Sequence, residues 1–487
     1  MKKCLVIMLC ILIVCTSGII WAHASVNSER DNVTLNETVL WGDKSEAENL
    51  SVTTHVTQSG HLFWDTTLKT GKENLVKTDF RFSQKKVNLF SNYDYGVSVD
   101  AASGCGYMSD EIYYDMLPEA AQFAADRTQN GETHSETVNL KDFYEYFPLR
   151  IVLDFKGFTY YSDDIFFTGE SETDEIKDAF LDYFKLPIEK DFLYDVTIQK
   201  DAEGVIVSYE GNPDEDQGFW LTTLSAVAND ACYFTFDLSS SQDISTDCIK
   251  GGYGIYRLPF SETGEQQKYF GTVPGSISVD AKNLSTVYQL EKNIVIIDFK
   301  FSEKHNELIL TTIEDGFYCV TVLDASTGKE LNKIKIMEES SESEGLYSTF
   351  YYDDFMVIKD LDNRFSVIEI ESGGKLVSAL TTAPFKADLS NILNSSSGFA
   401  WNGEKLAFAS YICEEYADTD YEDSYYMVDK CGFYMMVLNE DGVLYCGKYD
   451  SSLDINSSSC SLEGWDKIEY NDYNRTRQDI PVTVSWD

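Results

Sequence analysis

Residues 293–336 read NIVIIDFKFSEKHNELILTTIEDGFYCVTVLDASTGKELNKIKI, and this stretch decides the fold class. Runs of β-branched and aromatic residues are separated by short polar connections, including Glu314-Asp-Gly316 and Asp324–Lys329, which are typical of tight turns. The pattern predicts four strands, over 293–301, 307–313, 317–323 and 330–336. Four strands joined by tight turns form one antiparallel meander.

The same layout recurs along the chain and is clearest over 355–380 and 433–448. Turn glycines mark seven copies, at Gly71, Gly131, Gly204, Gly264, Gly328, Gly374 and Gly442. Their mean spacing is about 62 residues, so seven units need about 434 of the 487 residues. A four-stranded unit buries its faces only against neighbouring units. We therefore expect an all-β protein, a β-propeller of seven four-stranded blades.

The segment Val322-Leu-Asp-Ala-Ser-Thr-Gly-Lys329 resembles the outer-strand turn of PQQ-type and related WD-like propeller repeats. The match covers one blade well and two others loosely. The resemblance implies the propeller fold. It does not extend to the tryptophans of quinoprotein repeats, because Leu331 and Asn332 stand after Gly328.

Two helical segments and two terminal strands complete the expected architecture. Apolar residues at helical spacing predict a helix over 173–186, and Pro118 begins a second candidate over 118–127. Residues 25–190 are either the first blades with helical insertions or a separate α+β domain, and 191–487 are propeller blades. Strand-like runs over 33–40 and 481–486 are expected to complete one blade from both chain ends, and two unrelated edge strands are the alternative.

The first 24 residues are typical of a secretory signal peptide. Lys2 and Lys3 precede an apolar run over 5–14, and Ala22-His-Ala24 is a small-x-small cleavage sequence. A lipoprotein signal ending at Cys15 and an uncleaved anchor helix over 5–22 are the alternatives. Either way the body is expected to be secreted or to lie on the extracellular face of the membrane, with a possible N-terminal tether as its only membrane contact.

Charge and cysteine content narrow the possible functions. The chain carries 82 acidic and 38 basic residues, for a net charge of −44, which argues against nucleic-acid binding. Cysteines beyond the leader number eight, so disulfides are possible in an exported chain, for example between Cys232 and Cys248. The alternative is a set of buried thiols, as at Cys319 within a predicted strand.

Few residues carry a catalytic pattern. No HExxH, GxSxG or phosphate-binding loop occurs, and His55, His61, His134 and His305 are the histidines outside the leader. Aromatic clusters beside acids, such as 142–147 and 158–163, either stack sugars or pack between blades, and we favour packing. The chain has so many carboxylates that the sequence does not identify a particular pair as a glycosidase acid and base or nucleophile.

One loop has the composition of a calcium site. The carboxylates of Asp418, Asp420 and Glu422 alternate, and Asp429 stands at the twelfth position of the loop. Alternating carboxylates can converge on a hard cation, although Asp423 replaces the glycine of an EF-hand loop. Calcium is the only cofactor predicted, and an ordinary acidic hairpin loop is the alternative.

Together these features predict an exported, non-catalytic β-propeller that binds a protein or a glycan at the cell envelope. The alternative is an extracellular propeller enzyme that acts on glycans through paired carboxylates.

Overall fold

The computed structural model describes the greater part of the chain. The described residues are 2–58, 62–82, 95–101, 118–156, 158–162, 175–213, 221–238, 244–267, 275–339, 348–360, 362–384, 397–417, 424–452 and 482–487. The three α-helices of these segments are α1 (Lys2–Asp31), α2 (Pro118–Ala125) and α3 (Glu175–Tyr183). The two predicted helical insertions are thereby confirmed, each shorter by two to five residues.

Strands dominate the described residues. Twenty-eight strands lie in the described part of the chain. The strands before residue 214 are β1 (Leu35–Gly42), β2 (Leu50–Gln58), β3 (Leu62–Lys69), β4 (Leu75–Phe82), β5 (Gly96–Ala101), β6 (Thr133–Asn139), β7 (Leu149–Phe155), β8 (Phe158–Tyr161), β9 (Leu193–Lys200) and β10 (Ile206–Pro213). Those that follow are β11 (Thr222–Val227), β12 (Ala231–Asp237), β13 (Gly254–Gln267), β14 (Gly275–Val279), β15 (Ser285–Gln289), β16 (Val295–Ser302), β17 (Glu307–Glu314), β18 (Phe317–Asp324) and β19 (Glu330–Glu338). The last nine are β20 (Ser348–Tyr351), β21 (Phe355–Lys359), β22 (Phe365–Glu371), β23 (Lys375–Thr381), β24 (Ser397–Trp401), β25 (Leu406–Ala417), β26 (Ser424–Asn439), β27 (Gly442–Ser451) and β28 (Thr483–Trp486).

These strands form seven antiparallel sheets among the described residues. The sheets β5-β7-β8 and β10-β9-β6 interleave along the sequence, and β1 and β28 each pair with a strand from the opposite end of the chain. The stretch 293–336 folds as predicted into the four-stranded meander β16-β17-β18-β19, and β20-β21-β22-β23 repeats it. The all-β, propeller-type architecture is confirmed. Two of the seven sheets, β10-β9-β6 and β5-β7-β8, contain three strands among the described residues, and the number of seven blades stays a prediction.

The turn between β18 and β19 shows how the local sequence closes a hairpin. The amide and hydroxyl of Thr327 donate hydrogen bonds to Asp324 Oδ1, at 2.8 and 2.7 Å. Gly328 adopts φ +67°, and a Cβ there would lie 2.1 Å from the Val287 carbonyl oxygen. A glycine is therefore required by both backbone conformation and space.

Two of the predicted strand–turn–strand hairpins are wrong. Gly264 lies inside β13, so the chain continues as a strand where a hairpin was expected. Gly131 does form a turn, with φ +78°, but it joins α2 to β6 rather than two strands. Glycine is compatible with extended and turning backbone alike, so its presence alone did not distinguish these cases.

The chain divides into two compact units. The first unit comprises residues 1–92, 342–369 and 378–487, and the second comprises 93–341 and 370–377. The predicted division into 25–190 and 191–487 stays a prediction.

The first unit incorporates both ends of the chain into its sheets. Strand β1 pairs with β27 at the edge of the sheet β1-β27-β26-β25-β24, and β28 pairs with β2 in the sheet β28-β2-β3-β4. The terminal strands were predicted to complete one blade together. Instead, each completes a different sheet, β1 by the register Leu35↔Ser451 and β28 by Leu50↔Trp486.

The second unit is built around an aromatic core. Phe184, which follows α3, is 1% exposed and lies with its ring 4.7 Å from that of Tyr256 and 5.3 Å from that of Phe236. Phe158 and Tyr160 of β8 are also buried, so these two aromatics of the cluster over 158–163 pack as predicted. Burial of these rings supplies much of the hydrophobic stabilisation of the unit.

The cysteine side chains that are described are free thiols. Cys232 is fully buried and Cys248 is exposed, so the disulfide considered between them is wrong. Cys319 is the buried strand thiol that was expected as the alternative, and burial raises its pKa.

Candidate functional site

Only part of the predicted calcium loop lies within the described residues. Asp418, Asp420 and Glu422 lie outside the described residues. The backbone of Asp429 lies in β26, opposite Ile412 of β25, and its side chain is also outside the described part. Among the described residues there is no group of three or more side chains able to hold a metal ion. Calcium binding by the loop stays a prediction.

A series of polar side-chain contacts connects three strands of one sheet: Thr483 of β28, His55 of β2 and Asp65 of β3. His55 Nδ1 lies 2.7 Å from Asp65 Oδ1, and His55 Nε2 lies 3.3 Å from Thr483 Oγ1. The order carboxylate, imidazole, hydroxyl is that of a hydrolase triad. His55 is 39% exposed on the face of a regular sheet. The contacts join the C-terminal strand to the sheet, and we assign the cluster this structural role.

The other histidines have separate surroundings. His61 lies outside the described residues. His134 Nε2 lies 3.7 Å from Glu136 Oε2 in β6, and His305 lies in the turn between β16 and β17.

One pair of carboxyls in the second unit has opposite pKa shifts. Burial raises the pKa of Glu307, which is 3% exposed, whereas hydrogen bonds from Thr327 lower the pKa of Asp324, its cross-strand neighbour. Such a difference is typical of a glycosidase acid and nucleophile. Here Glu307 Oε2 is buried, and Asp324 already caps its own turn. The opposite pKa shifts of Glu307 and Asp324 are therefore explained by the positions of the two residues in the hairpin.

A buried polar network anchors β1 in the first unit. Glu37 accepts hydrogen bonds from the Lys44 ammonium, from Asn74 Nδ2 at 2.9 Å and from the Tyr445 hydroxyl at 2.9 Å. The Tyr445 and Tyr449 hydroxyls lie 2.8 Å apart. Because Tyr445 gives its one proton to Glu37, the proton between the two hydroxyls comes from Tyr449.

The network sets the charge state of its members. Burial alone would raise the pKa of Glu37, but hydrogen bonds from Lys44, Tyr445 and Asn74 outweigh it and hold that pKa below its usual value. Burial, with Tyr449 and Glu37, raises the pKa of Tyr445. Gly447 leaves room for this arrangement, because a Cβ there would lie 2.1 Å from the Tyr445 hydroxyl oxygen. Glu37 is thus ionised and Tyr445 neutral across the physiological pH range.

Beyond Glu37, strand β1 exposes three consecutive apolar residues. Val39 is 50% exposed, Leu40 48% and Trp41 67%. The register with β27 shifts between Val39 and Trp41, which makes Leu40 the extra residue of a β-bulge. Leu75, whose neighbour Asn74 donates to Glu37, is 62% exposed. We call residues 39–41 the β1 strip.

The β1 strip combines exposed apolar surface with an open backbone edge. Strand β1 pairs with β27 on one side and is the edge of its sheet among the described strands. An edge strand offers unpaired amides and carbonyls, and Trp is the residue most enriched at the centres of interfaces. The buried network beneath holds the strand in place, so little ordering would be required on binding. Sequence reasoning identified 33–40 as a strand but gave no signal that its end is exposed.

Comparison with known proteins yields only structural likeness. No family model matches the chain, and no curated protein matches it. A protein from Lactobacillus plantarum is similar over 82% of this chain and 99% of its own, with 9% identity and a TM-score of 0.24. AztD from Citrobacter koseri covers 82% and 89%, with 10% identity and a TM-score of 0.21.

A quinoprotein alcohol dehydrogenase-like protein from Bacteroides thetaiotaomicron is similar over 82% of this chain and 90% of its own, with 10% identity and a TM-score of 0.18. The resemblance is to propeller-type proteins at the level of the fold, with no specific family. At these scores and identities it assigns no ligand and no functional residue. The class of protein therefore follows from the strand order itself.

Proposed function

We propose that this protein is an exported β-propeller that binds a protein partner at the cell envelope and performs no catalysis. The observation that carries the proposal is the β1 strip, three consecutive apolar residues exposed on the edge strand of a well-anchored sheet. Scattered exposed apolar residues are ordinary, but a contiguous group beside an open edge is typical of an interaction site.

The partner is expected to present an extended, basic segment. Addition of a strand to an open edge supplies main-chain hydrogen bonds, and exposed side chains beside it supply specificity. The net charge of −44 attracts cationic partners and raises their association rate. A protein segment carrying Lys or Arg beside apolar residues fits both features. A glycan would stack on the aromatic ring of Trp41 but would not use the open backbone edge, so it matches fewer of the features of this surface.

Export is supported by the apolar helix α1, which begins with Lys2 and Lys3 and precedes an acidic body. Its composition is that of a signal sequence or an anchor.

The test places a photo-crosslinking amino acid at Leu40 and, as a control, at Val207 of β10, which is 38% exposed in the second unit. Irradiation of intact cells should give one defined product at residue 40 and none at residue 207. The strand segment of that product is then synthesised as a peptide. Trp41→Ser should weaken peptide binding about thirtyfold, as for a central interface residue, and Val207→Ser by less than about twofold.

Equal cross-linking at both positions, or peptide binding unaffected by Trp41→Ser, would refute the β1 strip as the site. Binding to a glycan array that depends on Trp41 while no protein is cross-linked would refute the protein partner. Turnover of a glycan that is abolished by single carboxylate substitutions would refute the non-catalytic role.

A further inference from the structure

Helix α1 has the properties of a membrane-spanning segment in its first two thirds. Among the described residues it is the one helix long and apolar enough to cross a membrane. Large apolar side chains that are each more than half exposed point to all sides of it: Ile11, Leu12, Ile13, Val14, Ile19, Ile20 and Trp21. A helix that is apolar all round is stable in lipid rather than water. Residues 5–22 would span about 27 Å, close to the hydrocarbon thickness of a bilayer.

The last third of α1 is packed on the protein instead. The ring of His23 lies 6.3 Å from that of Phe80, and the Arg30 guanidinium lies 5.9 Å from the same ring. Val26 packs against Trp64, which is 1% exposed. His23, Val26 and Arg30 are three and seven residues apart, so they lie on one face of the helix. That face covers the aromatic pair Trp64–Phe80 on β3 and β4.

The segment that follows α1 is also fixed, by hydrogen bonds to Ser452. Only residues 32–34 separate it from β1. The Thr34 amide donates to Ser452 Oγ at 2.8 Å, the Ser452 amide donates to the Thr34 carbonyl at 2.9 Å, and Ser452 Oγ donates to the Asn32 carbonyl at 3.4 Å. The helix therefore passes into the sheet without a flexible linker.

We propose that α1 is retained as a membrane anchor whose residues 23–31 dock on Trp64 and Phe80 and hold the first unit against the outer surface of the lipid bilayer. Lys2 and Lys3 remain on the inner side, as positively charged flanks do. Trp21 lies at the boundary where aromatic residues favour the lipid interface. The nine docked residues extend about 13 Å along the helix axis, so the unit lies next to the lipid headgroups.

Docking also accounts for retention. The cleavage sequence Ala22-His-Ala24 lies within the helix, and cleavage after Ala24 would separate His23 from the rest of the docked face. Proteases act on exposed, locally unfolded segments. This inference rests on the proposed export, because the orientation of α1 follows from it.

The first experiment locates the protein and its N-terminus. The full chain is produced in cells, membranes are washed with alkaline carbonate, and the N-terminal peptide is identified by mass spectrometry. We expect carbonate-resistant protein with residues 1–24 present and a body digested by protease added outside the cells. A soluble product beginning at Ser25 would overturn retention while leaving export intact. A body protected from external protease would overturn export itself.

The second experiment tests docking in the detergent-solubilised full chain. Trypsin cleaves after Arg30, which the docked face protects. Val26→Asp should accelerate this cleavage about tenfold by raising the open population, whereas Ser28→Asp, on the exposed side of the helix, should leave it unchanged. Equal cleavage rates in the parent chain and both variants would show that residues 23–31 are not docked.

Discussion

Glu37 of β1 accepts a hydrogen bond from the Tyr445 hydroxyl of β27, at 2.9 Å, across 408 residues of sequence. The contact ties the first strand of the chain to a blade formed near its end. Glu37 also holds Lys44 and Asn74, so one carboxylate joins three separate elements of the first unit. The exposed β1 strip begins two residues after this anchored carboxylate on the same strand.

Replacement of either partner should destabilise the first unit. Tyr445→Phe leaves the partly buried Glu37 carboxylate with one donor fewer, and we expect a loss of about 1–2 kcal/mol in the free energy of unfolding. Urea denaturation followed by fluorescence measures it. Glu73→Gln, at an exposed position, is the matched control and should change stability by less than about 0.5 kcal/mol. A Tyr445→Phe variant as stable as the control would contradict the role of the network.

The network should also make stability depend on acid pH. The pKa of Glu37 is lower in the folded state than its ordinary value of 4.5, so the folded state binds its proton less readily. Its contribution is fully present above about pH 4.5 and is lost as the pH falls through the folded pKa. Thermal melts between pH 3 and 7 should show a smaller acid loss for Glu37→Gln than for the parent chain. Parallel pH curves for the two proteins would be the contrary result.

Two glycines with similar backbone angles should respond differently to substitution. Gly328 has φ +67° and Gly316 has φ +76°, but a Cβ at Gly328 would lie 2.1 Å from a carbonyl oxygen, whereas nothing lies within 4 Å at Gly316. Gly316→Ala should cost about 1 kcal/mol through the left-handed conformation alone. Gly328→Ala should cost about 2 kcal/mol more because the backbone must shift. The urea midpoints of the two variants give the comparison, and equal midpoints would mean that the turn relaxes freely.

Removal of the C-terminal strand should weaken the first unit. Val482 and Val484 are buried, and Trp486 lies opposite Leu50. Deletion of residues 482–487 exposes this apolar surface and the free edge of β2, and should cost more than about 3 kcal/mol. Deletion of Asp487 alone removes the ion pair with Lys69 and the hydrogen bond from the Asp487 amide to the Asn49 carbonyl, and should cost less than about 2 kcal/mol. Calorimetry separates the two cases, and similar melting temperatures would argue against the pairing of β28 with β2.

The aromatic core should be sensitive at Phe184. Its ring is buried between Tyr256 and Phe236, so Phe184→Ala creates a cavity and should cost about 3–5 kcal/mol. Leu331→Ala is the control, because Leu331 is 37% exposed and should cost less than about 1 kcal/mol. Chemical denaturation monitored by near-UV circular dichroism reports on this core. A small effect of Phe184→Ala would show that the neighbouring rings collapse into the space.

Local elements were predictable because their signals are local. Alternating β-branched residues and the turn at Asp324–Lys329 predicted β16–β19, since a hairpin is specified by its own turn chemistry and by the period of its side chains. Helix α3 was predicted from the helical spacing of its apolar residues, and α2 from the proline at its first turn. The predicted calcium residues contribute nothing to this comparison, because Asp418, Asp420 and Glu422 lie outside the described residues.

Long-range pairing was decided only by the tertiary structure. The sequence indicated terminal strands at 33–40 and 481–486, but not that each would complete a different sheet. It contained no sign that Glu37 would meet Tyr445, that His55 would meet Thr483, or that Val26 would cover Trp64. A short segment encodes its own turns and periodicity, whereas the choice of a distant neighbour depends on the packing of the whole unit. Residues 293–336 therefore determined the kind of fold, and only the folded chain determined which surface remains exposed on β1.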